Sequence, residues 1–303
     1  MSLPTKVDIR EVCLRDGLQI EAPIPLSAKL EILEAVVATG VREVEATAFV
    51  SPSKVPALAD AAELATHLDR YRVSHDVEFS ALVASPNGAK RAIAAGLRSV
   101  EYVVSASDAH SRANVARTSA EATAQIAEIV AIAHDNDTSV EVIVATAWDC
   151  PFAGPTDPQR VLDIVSAAVS SGVDRIAIAD TIGTATPRRV TTLIEKVRPL
   201  AGRLPLGAHF HNTRGAGLAS AYAAVQAGVR RLDASVGGLG GCPFAPGASG
   251  NIATEDLVYL LRDSEVDVDV DLDRTIDAAI VAQLAVGHEL PSALLRSGDR
   301  IRG

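Results

Sequence analysis

Ala38-Thr39-Gly40-Val41-Arg42-Glu43-Val44-Glu45 decides the fold, because variants of it return three times: Ala94-Ala95-Gly96-Leu97-Arg98-Ser99-Val100-Glu101, Ser170-Ser171-Gly172-Val173-Asp174-Arg175-Ile176-Ala177 and Gln226-Ala227-Gly228-Val229-Arg230-Arg231-Leu232-Asp233. In each, an amphipathic segment of helical period ends at a glycine suited to a left-handed cap, and a β-type run begins directly after it. The same handover repeated along a chain is the mark of a βα unit used many times.

Outward from these four points, strands are expected at 7–14, 43–49, 78–84, 99–105, 140–146, 175–181, 206–212 and 231–236. Helices are expected at 28–39, 55–69, 86–95, 119–135, 157–171, 187–200, 215–227 and 253–262. Eight strands alternating with eight helices predict an α/β chain folded as a (β/α)8 TIM barrel, with a doubly wound open sheet as the competing architecture. No G-x-G-x-x-G follows the first strand and no Pro/Ser-rich linker divides the chain, so one domain is expected over 1–303, its barrel spanning 7–262. Residues 263–303 then form an acidic segment and a C-terminal helix, from about 275 to 290, packed on the barrel. The alternation Asp263-Ser-Glu-Val-Asp-Val-Asp-Val-Asp-Leu-Asp273 lacks the mid-loop glycine and terminal glutamate of an EF-hand and reads as an exposed segment leading into that helix.

Of the 303 residues, 28 are Lys or Arg and 38 Asp or Glu, a net charge of -10, and aromatic residues make up only 3%. A nucleic-acid binder needs the opposite of both, so no nucleic-acid partner is expected. Three cysteines, Cys13, Cys150 and Cys242, supply neither a disulfide framework nor a C-x-x-C zinc pair. No window reaches the roughly 18 apolar residues of a membrane span, so a soluble, cytoplasmic protein without a membrane partner is expected.

Catalytic groups of such a barrel collect where strands end. There stand Arg15-Asp16-Gly17, Glu45, Asp180-Thr181-Ile182-Gly183, His209-Phe210-His211-Asn212 and a loop from Gly237 to Asn251 that holds six glycines and Cys242. His209 and His211 share one face of a strand. With a carboxylate and an amide oxygen nearby they suit Mg²⁺ or Mn²⁺, and Zn²⁺ is admitted by ligand type; the competing reading is a hydrogen-bonded structural pair. Glu45 and Asp180 read first as a helix cap or an arginine partner, and second as site acids. Cys242 reads as a chemical group on a loop over the site or as packing.

The ordered set Arg15-Asp16-Gly-Leu-Gln, Phe49-Val-Ser-Pro52, Asp180-Thr-Ile-Gly, His209-x-His211, Gly-Gly-Leu-Gly-Gly-Cys242-Pro and Gly250-Asn251-x-Ala-Thr-Glu255-Asp resembles the 3-hydroxy-3-methylglutaryl-CoA lyase family of metal-dependent (β/α)8 barrels, over about 7 to 290. The resemblance implies Asp16, His209, His211 and Asn251 as ligands of a divalent cation, Mg²⁺ or Mn²⁺. It implies Arg15 at the thioester oxygen, Glu45 and Asp180 as acidic site residues, and Cys242 on a loop that covers the substrate. Glu11 and Glu255 fall in supporting positions and Gln19 and Gly241 near the substrate, where Arg214, outside the family pattern, is also expected. The implied reaction is retro-Claisen cleavage of 3-hydroxy-3-methylglutaryl-CoA or a close analogue to acetyl-CoA and a ketoacid, acetoacetate for the parent thioester. The implied assembly is a homodimer.

Departures from the family pattern bear on the acyl group: Gln19-Ile20-Glu21-Ala22 lacks an expected amide and lysine, Ala48 replaces a serine, Asn212 replaces an aspartate and Arg214 adds a cation. A citramalyl-CoA or 3-hydroxy-3-alkylglutaryl-CoA lyase is therefore the alternative, followed by an aldolase or Claisen-condensing enzyme of the same superfamily. A non-enzyme reading is a silent barrel that binds metal or acyl-CoA. Lys54, Arg112, Arg117 and Arg214 are the cations expected to meet an anionic coenzyme.

Overall fold

The computed structural model describes residues 3–241 and 250–300. Eight parallel strands close into a barrel: β1 Asp8–Glu11, β2 Glu43–Phe49, β3 Glu78–Val83, β4 Ser99–Ser105, β5 Ser139–Ala145, β6 Arg175–Asp180, β7 Leu206–Phe210 and β8 Arg231–Ala234. Each pairs with its neighbour in chain order, and β1 closes on β8 with Asp8 opposite Arg231. The four repeat glycines carry the positive φ expected of them, from 81° at Gly172 to 104° at Gly228.

Alternate residues of each strand face opposite sides. Outward ones, among them Val44, Phe79, Val100, Val142, Ile176 and Leu232, are buried under the helices. Those helices present apolar residues three or four apart, such as Ile32, Leu33, Val36 and Val37 of Leu26–Ala38 and Val190, Leu193, Ile194 and Val197 of Pro187–Ala201.

Inside the barrel the residues are mostly charged. Lowest lie Glu43, Glu78, Arg175 and Arg231, with Arg175 bridging Glu43 at 3.0 Å and Glu78 at 2.9 Å. Gly207 makes room there, since a Cβ would stand 2.5 Å from the Arg231 guanidinium. Above them, Arg10 forks onto Asp233 at 2.9 and 2.7 Å and reaches Glu101 at 2.6 Å and Glu141 at 2.5 Å. Higher still, Val103, Ile143 and Ala179 form a small apolar patch beneath the mouth.

Several elements depart from expectation. The first strand stops at Glu11, and Cys13–Gly17 winds into a wide turn in which Val12 O accepts the N–H groups of Arg15, Asp16 and Gly17. The helix expected at 55–69 is split into Pro56–Leu58 and Ala61–Ala65, with a further helix at Asp69–His75, and that expected at 119–135 is interrupted at Gln125. Helices Asp108–Val115 and Ala293–Ser297 are additional. In the acidic segment Val266 and Val268 are buried while Asp267, Asp269 and Asp271 face outward. The helix beyond starts earlier than expected, at Leu272, because the Asp271 carboxylate accepts from Arg274 N at 3.0 Å. No helix among the described residues is long and apolar enough to cross a membrane.

Candidate active site and metal centre

The wide turn after β1 is where the chain commits residues to chemistry. The Glu11 carboxylate accepts from Cys13 N at 3.0 Å, Val236 N at 3.1 Å and the Thr254 hydroxyl at 2.6 Å, so it ties the end of β1 to the loops after β8. Burial pushes Glu11 up to about 7 against the pull of those donors. Glu255 does the same on the far side of the loop: both its oxygens take Gly237 N, at 3.0 and 3.1 Å, and burial lifts it to about 7. These two positions hold the frame, and neither lines the cavity.

On that frame Asp16 meets His209 and His211. One ligand atom from each lies within 4.8 Å of the others, and all three residues are buried. His211 Nδ1 donates to Thr181 O at 2.7 Å and His209 Nδ1 to the Asp233 carboxylate at 3.2 Å, which leaves both Nε2 lone pairs inward. Those nitrogens stand 3.4 Å apart, with Asp16 Oδ2 at 3.4 Å from one and 3.9 Å from the other. With both rings neutral, two imidazole nitrogens and a carboxylate oxygen converge on one point, where the Asn251 amide is the donor among the described residues, an arrangement that a cation relieves. Residues 250–252 run back along the end of β7 and place Asn251 beside His211. Its Nδ2 donates to Asp16 Oδ2 at 2.9 Å and to Leu239 O at 3.0 Å, while its Oδ1 is buried without a partner. One carboxylate, two imidazoles and a spare amide oxygen fit a divalent cation. Gly250 is required for this approach, because a Cβ there would fall on the carbonyl oxygens of Gly238 and Gly240.

Arg15 lies across the same corner, with Nη1 on Asp16 Oδ1 and Nε 2.6 Å from Glu45 Oε2. Burial alone would raise the Asp16 carboxyl, yet Arg15 and the two imidazoles hold it well below the usual range. His211 is raised despite burial, mainly by its contact with Asp16. Glu45 is fully buried and driven well above the usual range by burial, with Glu101 adding to the rise against Arg15.

The trio opens into a cavity of about 1160 Å³. Arg15, Asp16, His209 and His211 form one end, and Ala48, Leu82, Val103, Ile143 and Ala179 give it an apolar wall. Gln19 and Gly241 line it as expected, and so do Lys54 and Arg117. Arg91 joins them, a cation the sequence reading passed over. Arg112 and Arg214 do not line it; Arg214 is turned onto Ile182 O at 2.5 Å. Asp180 is absent from the lining too: its two oxygens accept from Thr184 N at 3.0 Å and Ala185 N at 2.9 Å and so shape the loop after β6. Glu45 likewise faces Arg15 and not the cavity. Cys242 lies outside the described residues. The other residues missed were Thr181, Asp233 and Arg10; a polar residue at every second strand position was the available signal.

A closed eight-stranded βα barrel with an Asp-His-His centre at the carboxyl ends of its strands defines the class as a (β/α)8 barrel with a candidate metal centre. Residues 6–281 match the HMGL-like family model, and the chain belongs to that family. It is 38% identical over 300 residues to the (R)-citramalyl-CoA lyase of Chloroflexus aurantiacus, covering 96% of this chain and 95% of the relative. It is 35% identical over 300 residues to the hydroxymethylglutaryl-CoA lyase YngG of Bacillus subtilis, covering 98% of each. An HMG-CoA lyase from Acinetobacter baumannii, solved in complex with coenzyme A and 3-methylmalate, superposes with a TM-score of 0.93 at 38% identity, covering 99% of this chain and 97% of that one.

Proposed function

We propose that the protein cleaves 3-hydroxy-3-methylglutaryl-CoA, or a close 3-hydroxyacyl-CoA, to acetyl-CoA and a ketoacid, with Mg²⁺ or Mn²⁺ as its cation. The observation that carries this reading is the Asp16–His209–His211 trio, buried at the inner end of a large cavity with Arg15 beside it. A divalent cation held there by Asp16, His209, His211 and Asn251 supplies a Lewis acid that makes a tertiary hydroxyl more acidic.

Cleavage removes the hydroxyl proton, turns the C–O bond into a ketone and sends the electrons of the broken C–C bond onto the acetyl thioester. Asp16 is the one carboxylate among those named from the sequence that lines the cavity; Arg15 and the imidazoles make it a weak base, so it would receive that proton only from a hydroxyl that the cation has made more acidic. Arg15, fixed by Glu45 and Asp16, presents its remaining N–H groups to the thioester oxygen where negative charge develops. Cys242 or a water returns a proton to the acetyl carbon, a role carried by the sequence resemblance alone. Lys54, Arg91 and Arg117 line the outer cavity and meet the coenzyme phosphates. The apolar wall of Val103, Ile143 and Ala179 favours 3-alkyl thioesters as the second reading, a class named for one relative, the 3-hydroxy-3-isohexenylglutaryl-CoA/hydroxymethylglutaryl-CoA lyase of Pseudomonas aeruginosa. We further propose a homodimer in the cytoplasm, with the exposed Ile280 and Leu284 of Leu272–Val286 in the contact.

The test is acetyl-CoA release from purified protein with Mg²⁺ or Mn²⁺, with and without EDTA, offered 3-hydroxy-3-methylglutaryl-CoA, citramalyl-CoA and a 3-alkyl homologue. Metal-dependent release from the first supports the proposal. Release from another thioester alone reassigns the acyl group, and release from none despite tight metal binding leaves a silent binding barrel.

A further inference from the structure

We infer that Asp233, locked by Arg10, is a positioning residue for the metal centre: it fixes His209 as a ligand from a charged layer buried within the barrel. The inference rests on the metal reading above. Asp233 touches neither the cavity nor Asp16, and its link to the centre is the 3.2 Å bond from His209 Nδ1. A carboxylate behind a ligating histidine sets its tautomer and ring angle and makes the ligating nitrogen more basic.

The carboxylate is itself held on two sides. Its Oδ1 takes Arg10 Nε at 2.9 Å and its Oδ2 takes Arg10 Nη2 at 2.7 Å, a two-pronged pair that leaves the group no rotational freedom. Arg10 is held in turn by Glu101 and Glu141, and Glu141 by Arg231. Arg10, Glu101, Glu141 and Asp233 are each at most 2% exposed. Barrel interiors at this level are commonly filled by branched apolar side chains. Buried ion pairs give little or no net stability over such packing, because each charge must be stripped of water. Stability therefore does not account for the layer, whereas orientation does: its upper edge ends on a metal ligand, and each member has its rotamer set by the next.

The test titrates Mn²⁺ into metal-free protein by calorimetry, with ¹⁵N NMR of the His209 ring as a second readout and no substrate present. Asp233→Asn keeps the shape and removes the charge; it is expected to weaken Mn²⁺ binding about 10- to 100-fold and to shift or broaden the His209 Nδ1–H resonance. A folded Asp233→Asn protein with wild-type Mn²⁺ affinity, or with weakened affinity but an unchanged His209 resonance, overturns the inference. Should Asp233→Asn fail to fold, Arg10→Lys replaces it, keeping the charge and losing the fork. A smaller loss of affinity with the same change at His209 supports the inference, and no change overturns it. Wild-type protein that binds no Mn²⁺ overturns the metal reading itself, an outcome distinct from the others.

Discussion

Inside this barrel lie a closed charged cluster, which Glu43, Glu78 and Arg175 extend downward through Arg231, and beyond it at the mouth an open one. In the inner one, Arg10 and Arg231 face Glu101, Glu141 and Asp233, and every arginine reaches a carboxylate. In the outer one, at the mouth, His209, His211 and Asp16 turn three acceptors toward a common point, and Asn251 Oδ1 has no partner. Burial is similar in both, so burial does not tell structure from function. The balance of donors and acceptors does: the closed cluster orients, and the open one is built for a cation and a substrate.

That contrast is broken most sharply by His211→Gln. It should abolish metal binding and acetyl-CoA release, while the metal-free protein unfolds at close to the wild-type denaturant midpoint. A folded variant that still binds Mn²⁺ normally would remove His211 from the ligand set.

The inner cluster should respond in the opposite way. Glu141→Gln removes the carboxylate that Arg10 and Arg231 share most closely and leaves them only Asp233 in common among the described residues, and breaking a buried pair from one side costs about 3–5 kcal/mol. Denaturant unfolding would show it. A loss under 1 kcal/mol would mean that water already reaches this layer and that the two clusters do not differ as described.

Arg15→Ala probes the boundary. Removing a donor aimed at developing charge costs about 10²- to 10³-fold in kcat, with Mn²⁺ affinity in the calorimeter nearly unchanged. A large fall in metal affinity would place Arg15 with the ligands and not with the thioester.

The frame that holds the mouth open should be legible in pH. Glu255 sits at about 7 in the folded chain against an ordinary value near 4.5, so between those points the folded state keeps a proton the unfolded chain has released. The stabilisation from this group is complete below about 4.5, fades as pH rises toward 7, and is absent above. Its size is about 3 kcal/mol, and Glu11 adds a parallel share. Glu255→Gln should flatten its part of the slope between pH 4.5 and 8 in urea unfolding; an unchanged slope would refute the assignment.

The barrel was readable from sequence because its signals are local: a glycine after a helix, then a β-branched run. The His209–His211 pair was readable because residues two apart on a strand share a face, whereas Asp16, named at the end of the expected first strand, lies in the turn beyond it. The turn at Cys13–Gly17 was not, since it depends on Glu11 bonding Val236 N and Thr254, more than two hundred residues away. The inner charged layer was hidden for a different reason. Glu43-Val-Glu45, Arg231-Leu-Asp233 and Glu141 have the alternation of strands with one wet face, and only closure of the sheet turns that face inward. Asp180 illustrates the remaining ambiguity, since its position beside the mouth suits a site acid and its bonds suit a loop brace.

The smallest effect is expected at the rim, where open charge again marks function. Lys54 bonds Asn114 O at 3.2 Å, Arg91 bonds Val50 O at 3.4 Å and lies over the Phe49 ring, and Arg117 bonds Val115 O at 3.3 Å; none of the three makes a close ion pair among the described residues, although the Arg117 charge is felt at Glu121. Three cations without a close ion pair among the described residues around one opening, in a chain of net charge -10, are suited to the phosphates of a coenzyme thioester. An exposed charge of this kind contributes up to about 1 kcal/mol. Lys54→Ala should therefore raise the KM for the thioester by about fivefold or less, leave kcat unchanged, and make KM less sensitive to salt. A change in kcat with KM unaltered would place Lys54 at the reacting end of the cavity and erase the division between mouth and rim.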